Sequence, residues 1–257
     1  MNHRTTWILA AVFLMGCGAW ADTEELNDDN ETNGRYGPYT KAEIKAAIKR
    51  AGGRWSSTSR RVSFSGAQIT EAELEYVKWI SNLEHLQFPD SPITDDGLAH
   101  VVQLDRLKSL DISGTKITDV GLKHIVGLNR LKTLDVAGTQ ITDEGLINVT
   151  GLIGLATLDV SNTQITNDGL KHLKGLPKLS RIRLAGTQIT DGAIELLRSV
   201  PELHELDLAR TQISEASLEP IQRIRRLKRL HVSAGQFSDA EMERLTAALP
   251  TCRIVQD

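Results

Sequence analysis

The sequence predicts an α/β solenoid in which one short strand and one short helical segment alternate in every repeat. A period of 24 residues runs through the chain, and the segment 121–144 is nearly copied by 97–120 and 145–168. Within each period, apolar residues first recur at intervals of three, as on one face of a helical turn. They then alternate with polar residues, as in a strand with one buried side. Units of this kind bury their apolar faces against each other, so the sequence predicts a stacked array.

Composition excludes a nucleic-acid partner and a disulfide framework. The 257 residues carry a net charge of −3 with both signs mixed, which gives no basic surface for a phosphate backbone. Cys17 and Cys252 are the only cysteines. Because Cys17 lies in a segment expected to be processed, no intrachain disulfide is expected in the mature protein. Stability must therefore come from apolar burial.

Residues 1–21 are predicted to be an export signal. A basic start precedes an apolar run at 7–15, which is too short to cross a bilayer as a helix. Two processing sites stay open. The letters LMGC, ending at Cys17, resemble a bacterial lipobox and would make Cys17 a lipid anchor, whereas Ala-Trp-Ala at 19–21 is a site for ordinary signal peptidase. The protein is therefore expected in the cell envelope, lipid-anchored, or in a secreted or periplasmic form.

An acidic linker is predicted at 22–39, followed by one domain over 40–257. The linker has six acidic residues against one arginine and too little apolar surface to order itself. Thr40 and Glu43 fit a capping box, which predicts a helix that Gly52 ends. The apolar face of this N-terminal cap is predicted to comprise Ile44, Ala47, Ile48 and Ala51.

Each repeat unit, counted from its Gly-Leu pair, has seven apolar positions. In the unit at 121 they are Leu122, Ile125, Leu128, Leu131, Leu134, Val136 and Ile141. This is the pattern of a leucine-rich repeat, which predicts a right-handed horseshoe arc with a parallel β-sheet on the concave face and helices on the convex face. Strands are expected at 61–65 and once in each unit from 73 to 240. The segment 241–257 should supply the last helix, and 253–256 a possible ninth strand.

Three polar or glycine columns are predicted to shape the turns. Threonines expected to cap the helical segments are Thr118, Thr142, Thr166 and Thr190. Glycines expected in the tight turn after a strand are Gly114, Gly138 and Gly186. Threonines expected to bond the backbone of the neighbouring turn are Thr115, Thr139, Thr163, Thr187 and Thr211.

The signature LDxxGTxITDxGLxxLxxLxxL, read at 110–131 and 134–155, resembles the leucine-rich repeats of bacterial secreted and envelope proteins, notably those of planctomycetes. The resemblance covers about 40–257 and is specific for the fold. It implies an interaction module and does not name the partner, because the fold alone does not determine a function.

A column of aspartates is the first candidate site. Asp111, Asp135 and Asp159 share one outward strand position in adjacent units, where like charges repel unless something compensates them. One interpretation is a site for a divalent cation or a basic peptide. The other is a set of solvated aspartates bonded to neighbouring backbone or to the residues beside them, Ser109, Thr133 and Thr157. No metal site is assigned.

A basic cluster downstream is the second candidate. The run at 223–231 is rich in arginine, and its last residues should reach the sheet face, whereas Arg223 and Arg225 should lie nearer the turn. An anionic partner, such as an acidic protein segment or an envelope phosphate, would fit it. The alternative is a solvated edge that Glu205 and Asp207 partly neutralise. The candidate binding residues here are Arg181, Arg183, Asp207, Arg229 and His231.

No catalytic arrangement is found, and neither an enzyme nor a cofactor is expected. The sequence has no nucleophile elbow, phosphate loop or zinc-protease motif. The predicted function is an exported monomeric module that binds an unknown protein or envelope ligand through its concave surface. A structural scaffold of the envelope is the alternative. A ubiquitin-ligase-type adaptor is a third class, and the export signal argues against it.

Overall fold

The computed structural model describes residues 36–64 and 69–256. The expected signal peptide and Cys17 lie outside these residues. Within them, the strands form one sheet in sequence order. The strands are β1 Arg54–Ser56, β2 Arg61–Ser63, β3 His85–Gln87, β4 Ser109–Asp111, β5 Thr133–Asp135, β6 Thr157–Asp159, β7 Arg181–Arg183, β8 Glu205–Asp207, β9 Arg229–Val232 and β10 Arg253–Gln256.

Short helices alternate with the strands, which confirms the predicted leucine-rich-repeat solenoid. The α-helices are α1 Lys41–Arg50, α2 Glu71–Val77, α3 Asp95–Leu98, α4 Asp119–Leu122, α5 Asn167–Leu170, α6 Gly192–Leu197, α7 Leu218–Gln222 and α8 Asp239–Ala248. Helices of the 3₁₀ type cover Ala99–Gln103, Lys123–Ile125, Gly145–Val149, Leu173–Gly175 and Glu215–Ser217.

The sheet repeats the sequence period in its register. From β2 to β10 every neighbouring pair is parallel, and each residue pairs with the residue 24 positions later, as Leu110 does with Leu134 and Leu134 with Leu158. These central strand residues are fully buried, and so are Val136 and Ile141 of the same unit. The apolar positions derived from the period therefore form one continuous core. The ninth parallel strand left open by the sequence is β10.

Strand β1 was not predicted. It pairs antiparallel with β2, with Trp55 opposite Val62. The segment precedes the first repeat and holds a single apolar residue among polar ones, so neither the period nor an alternation marks it. Its hairpin covers the edge of the sheet that β2 would otherwise leave open.

The packed part of the chain begins earlier than the predicted boundary at 40. Tyr36, expected in the acidic linker, is buried, and its ring meets Trp55 edge-on at 5.9 Å between centroids. The cap that follows forms as predicted, since the Glu43 carboxylate accepts the Thr40 amide at 2.8 Å and Thr40 Oγ1 accepts the Glu43 amide at 3.2 Å.

The buried threonine column is structural, but its hydrogen bonds differ from those expected. Each hydroxyl donates to the carbonyl three residues earlier in its own unit, and Thr139 Oγ1 lies 2.6 Å from the Val136 carbonyl oxygen. The bond therefore closes the turn after the strand within one unit and does not join neighbours. The same bond is made by Thr115, Thr163, Thr187 and Thr211.

In the turn that follows a strand, one residue has a left-handed backbone, and the sequence predicted a tight turn at three of these positions from their glycines. Gly114, Gly138 and Gly186 have φ between 66° and 69°. In three other units Asp90, Asn162 and Arg210 adopt φ of 54°, 54° and 56° at the equivalent place. Asparagine tolerates this region better than arginine does, so Arg210 carries the greater backbone strain.

A ladder of carboxylates joins neighbouring units and was missed. Asp143 accepts the Thr166 amide at 2.8 Å on Oδ1 and the Thr166 hydroxyl at 2.6 Å on Oδ2. The same pair of bonds links Asp95 to Thr118, Asp119 to Thr142, and Asp191 to Ser214. Each bond crosses one repeat, so these aspartates join neighbouring units.

The ladder also changes two of the predicted caps. Thr118 and Thr166 cap as expected, since their hydroxyls accept the amides of Val120 and Asp168 at 3.2 Å. Thr142 and Thr190 do not occupy the N-cap of a helix, because the helices there begin at Gly145 and Gly192. The Thr142 hydroxyl donates to Asp119 at 2.7 Å, so its main role is to join two units.

The glycine that opens most units faces the same ladder. A Cβ built on Gly169 would overlap Oδ1 of Asp143 and lie 3.2 Å from its Cγ. One unit departs from this arrangement, since Asn167 replaces the aspartate and the buried Ala193 stands in the glycine's place. There the asparagine amide donates to Thr190 Oγ1 at 2.7 Å, which reverses the role of the hydroxyl.

The C-terminal cap ends the array. Helix α8 begins two residues before the predicted segment 241–257, because Ser238 and Glu241 form a capping box. Cys252 is buried next to β10, and burial raises the pKa of its thiol. Cys252 therefore serves as a small apolar residue of the cap.

Candidate functional site

The first and third residues of each repeat strand form two parallel rows on the outward face of the sheet. The central residue of each strand is buried and its neighbours are partly exposed, as Thr133, Leu134 and Asp135 show. Parallel strands lie about 4.8 Å apart, so each row brings together side chains that are distant in sequence. The third-residue row runs Gln87, Asp111, Asp135, Asp159, Arg183, Asp207 and His231.

The aspartates of this row bond their own backbone. Asp135 Oδ1 accepts the Ala137 amide at 3.1 Å, and Asp159 Oδ1 accepts the Ser161 amide at 2.9 Å. Asp111 Oδ1 also accepts a hydrogen bond from the Ser113 hydroxyl at 2.7 Å. The backbone bonds are those of the second interpretation, but Asp159 is buried and not solvated. One oxygen of each carboxylate accepts a hydrogen bond from the turn that follows its strand.

Asp135 is the aspartate of this row whose ionised form is disfavoured in the folded protein. Burial, together with the nearby Asp159 and Asp111 carboxylates, raises the pKa of Asp135 to about 6, although the Ala137 amide and Arg183 act in the opposite direction. A cationic group bound here would relieve this repulsion. No group of three or more histidine, cysteine or acidic side chains could hold a metal ion among the described residues.

The row changes sign at Arg183. Arg183 Nη1 lies 3.3 Å from Asp159 Oδ2, across neighbouring strands β6 and β7. Asp207 follows on β8, where its Oδ1 accepts the Ala209 amide at 3.0 Å, and His231 follows on β9. The sequence placed these residues on one surface, and the sheet register brings them into one line.

The first-residue row holds a carboxylate between two arginines. Glu205 Oε2 lies 2.9 Å from Arg181 Nε and 3.0 Å from Arg229 Nη1. Burial alone would raise the pKa of Glu205, but Arg181, Arg229 and Arg183 outweigh it and hold the pKa below its ordinary value. The Arg181 contact is an ion pair without hydrogen-bond geometry. This agrees with the expectation that Glu205 partly neutralises the cluster.

Only the end of the basic run at 223–231 belongs to a strand of the sheet. Arg223 pairs with Glu219 of α7, and Arg226 with Glu202, so both lie away from the strand rows. Arg229 belongs to β9 and reaches the sheet face. The dense run therefore contributes fewer charges to the sheet than its sequence suggests.

A pocket of about 270 Å³ opens at the edge where strands β7 to β10 begin. The sequence singled out Arg181 and Arg229 as candidates, named Glu205 as their neutralising partner, and contained Lys228 in the basic run at 223–231. It did not indicate Ser180, His204 or Arg253, because the first two precede their strands and Arg253 belongs to the C-terminal cap. The pocket is lined by Ser180, Arg181, His204, Glu205, Lys228, Arg229 and Arg253.

Comparison with known proteins identifies the repeat. The sequence model of a family described as "Leucine-rich repeat region" matches residues 71–254. No curated protein sequence matches the chain. Within the described residues no helix has the length and apolar character that crossing a membrane requires.

Solved structures share the fold. An internalin (inlF) from Listeria monocytogenes str. 4b F2365 superposes with a TM-score of 0.59 and 21% sequence identity, covering 83% of this chain and 66% of that one. An internalin C2 (inlC2) from the same organism has a TM-score of 0.53 and 25% identity, covering 82% of this chain and 81% of that one. The first comparison spans slightly less than two thirds of the internalin and bears on fold only.

Proposed function

Because the chain belongs to the leucine-rich-repeat family, we propose that it is a binding module that contacts another protein through the concave surface of its sheet. Stacked repeats of this kind present extended surfaces that partners occupy. Binding, and not catalysis, is proposed because the sequence contains none of the catalytic motifs sought and leucine-rich repeats typically serve as binding modules. We propose that the module acts as a monomer.

The observation that carries the proposal is the charged row on the sheet. Side chains 24 residues apart stand in line on a sheet of hydrogen-bonded parallel strands. Its middle is acidic, and burial beside two other carboxylates raises the pKa of Asp135. A solvated scaffold surface has no need to hold a partly buried carboxylate between two others. A partner with a basic group facing Asp135 would supply the missing compensation.

The two halves of the row suggest two kinds of contact. We propose that Asp111, Asp135 and Asp159 accept basic side chains of the partner. The other half, from β7 to β9, is proposed to meet a mixed or acidic part of the same partner. Its contact residues would be Arg181, Arg183, Asp207, Arg229 and His231.

Arginines introduced on the sheet face are expected to abolish capture of a partner. Thr133→Arg combined with Thr157→Arg would place two bulky cations on adjacent strands in the first-residue row. They would fill the surface and cancel the acidic charge beside it. The measurement is affinity capture from an envelope extract of the source organism with the full chain, wild type against variant.

The matched control is Val126→Arg with Thr150→Arg, which adds the same charge to exposed positions on the helical side of neighbouring units. A partner that is lost with the sheet variant and kept with the control supports the concave surface. A scaffold would show no partner that discriminates between the two. Equal capture by all three proteins would contradict the proposed binding face.

We propose further that the chain is exported, as the planctomycete-like signature and the apolar run at 7–15 suggest, and that Cys17 carries a lipid. Cys17→Ala is expected to move the protein from the membrane fraction to the soluble fraction and to remove the mass of the lipid. Mass spectrometry of both fractions checks this. If the wild-type protein begins after residue 21 and is soluble, ordinary signal peptidase has cleaved it and the lipid anchor is wrong.

A further inference from the structure

The pocket at the beginning of strands β7 to β10 is strongly basic in a chain that is acidic overall. Four of its lining residues are lysine or arginine and one is glutamate, against a net charge of −3 for the whole chain. Cations concentrated in this way raise the local concentration of anions and favour their binding. Charge alone thus points to an anionic ligand.

Two of the four cations are already engaged and two are not. Glu205 lies within ion-pair distance of Arg181 and Arg229. Lys228 and Arg253 form no ion pair or side-chain hydrogen bond with any residue in the described part of the chain. Both are exposed at the rim of the pocket. They are the charges that a ligand would meet.

The backbone fixes these residues side by side. The His204 amide donates to the Ser180 carbonyl at 2.8 Å. In the same way the Lys228 amide donates to the His204 carbonyl at 2.7 Å, and the Arg253 amide to the Lys228 carbonyl at 2.8 Å. One residue from each of four consecutive chain segments therefore lines the pocket in order. His204 also holds its Nδ1 against the Glu202 carbonyl oxygen, which fixes the ring orientation.

The dimensions favour an extended ligand over a compact one. Three strand spacings of about 4.8 Å place Ser180 and Arg253 roughly 14 Å apart. A single phosphate or carboxylate would reach only the neighbouring Lys228 and Arg253, whereas about four residues of extended peptide, at about 3.3 Å each, match the full length of the pocket. Glu205, which lies between two arginines of the pocket, shows that the cations here pair with a carboxylate.

We infer that this pocket binds an acidic segment of a partner protein, whose carboxylates pair with Lys228 and Arg253. The inference rests on the proposed protein-binding function and gives it a second contact, at the edge of the sheet. Arginine and lysine at such a rim set the partner's charge and the salt dependence of its association more than its total affinity.

Removing both unpaired charges is expected to weaken binding of an acidic probe. The probe is a fluorescent hexaglutamate peptide, titrated by anisotropy against the full chain at low salt. Lys228→Gln with Arg253→Gln should weaken binding roughly fivefold to tenfold, as two partly exposed ion pairs would. Wild-type binding should also weaken steeply as salt rises.

The matched control is Arg130→Gln with Lys132→Gln. Lys132 is the residue before β5, as Lys228 is the residue before β9, but it lies outside the pocket. Binding within about twofold of wild type is expected for this control, and an equal loss in both variants would reduce the effect to overall charge and overturn the inference. Inorganic phosphate that displaces the peptide at equal concentration would assign a compact anion and overturn it as well.

Failure here is separable from failure of the proposed function. If the hexaglutamate peptide does not bind while a partner is still captured through the sheet face, the pocket inference is wrong and the binding module stands. If the peptide binds through Lys228 and Arg253 but no partner depends on the sheet rows, the pocket stands without the concave contact.

Discussion

Gly169→Ala is expected to destabilise the folded chain by about 2–3 kcal/mol, because a Cβ there would displace the Asp143 carboxylate. That carboxylate accepts both the amide and the hydroxyl of Thr166, and hydrogen bonds to a charged acceptor contribute more than neutral ones. Displacement would weaken both bonds and leave a partly buried amide without its acceptor. Urea or thermal unfolding followed by circular dichroism measures the effect, with a midpoint lowered by about 4–12 °C.

Gly192→Ala is the matched control. It lies at the start of α6, where the nearest atom to an added Cβ is Asn167 Nδ2 at 3.2 Å. A change within about 0.5 kcal/mol is expected, as for most exposed substitutions. If the Gly169 variant were as stable as wild type, the Asp143 carboxylate would be able to move aside with no loss of free energy of unfolding.

The chain itself contains a compensated version of this change. Asn167 and Ala193 occupy the places of Asp143 and Gly169 in a neighbouring unit, and the fold is continuous there. Asp143→Asn added to Gly169→Ala is therefore expected to recover part of the lost stability. No recovery would mean that the alanine is tolerated at 193 for a reason other than its asparagine neighbour.

The repeat itself could be predicted because it is set by apolar burial, which the period displays directly. Leu134, Val136 and Ile141 lie where the spacing placed them. Strand β1 could not be found in this way, since it precedes the period and is fixed by pairing with β2. The carboxylate ladder escaped detection for a different reason. Its bonds join residues 23 apart, and a threonine followed by aspartate is equally explained by a cap within one helix.

For the candidate site, the sequence predicted which residues share a row on the sheet but not which of their charges are paired. A strand position repeated every 24 residues is enough to bring Asp111, Asp135 and Asp159 together. The charges available to a ligand depend on which pairs form across strands, and the sequence does not display this. Arg229 is engaged by Glu205, whereas Arg253, from the C-terminal cap, completes the basic pocket.

Asp135→Asn is expected to stabilise the protein by about 1–2 kcal/mol at pH 7.5. The folded-state pKa of about 6 lies above the ordinary value of 3.8, so the folded protein holds this proton more tightly than the unfolded chain. Stability from this group is present below about pH 4 and is lost as pH rises through 6. The full shift corresponds to about 3 kcal/mol, and contact with water reduces it. Asparagine keeps an acceptor for the Ala137 amide and removes the charge.

Urea unfolding at pH 4 and pH 7.5 separates this effect from packing. The stabilisation by Asp135→Asn should be present at pH 7.5 and nearly absent at pH 4, where the native carboxyl is already protonated. Asp207→Asn is the control, because Asp207 makes the same bond to the Ala209 amide but stands between Arg183 and His231. Removing that charge should not stabilise the protein. A gain for Asp135→Asn that is equal at both pH values would contradict the cost of ionising a partly buried carboxylate beside Asp159 and Asp111 as its cause, and with it the main reason for expecting a basic group of the partner at this place.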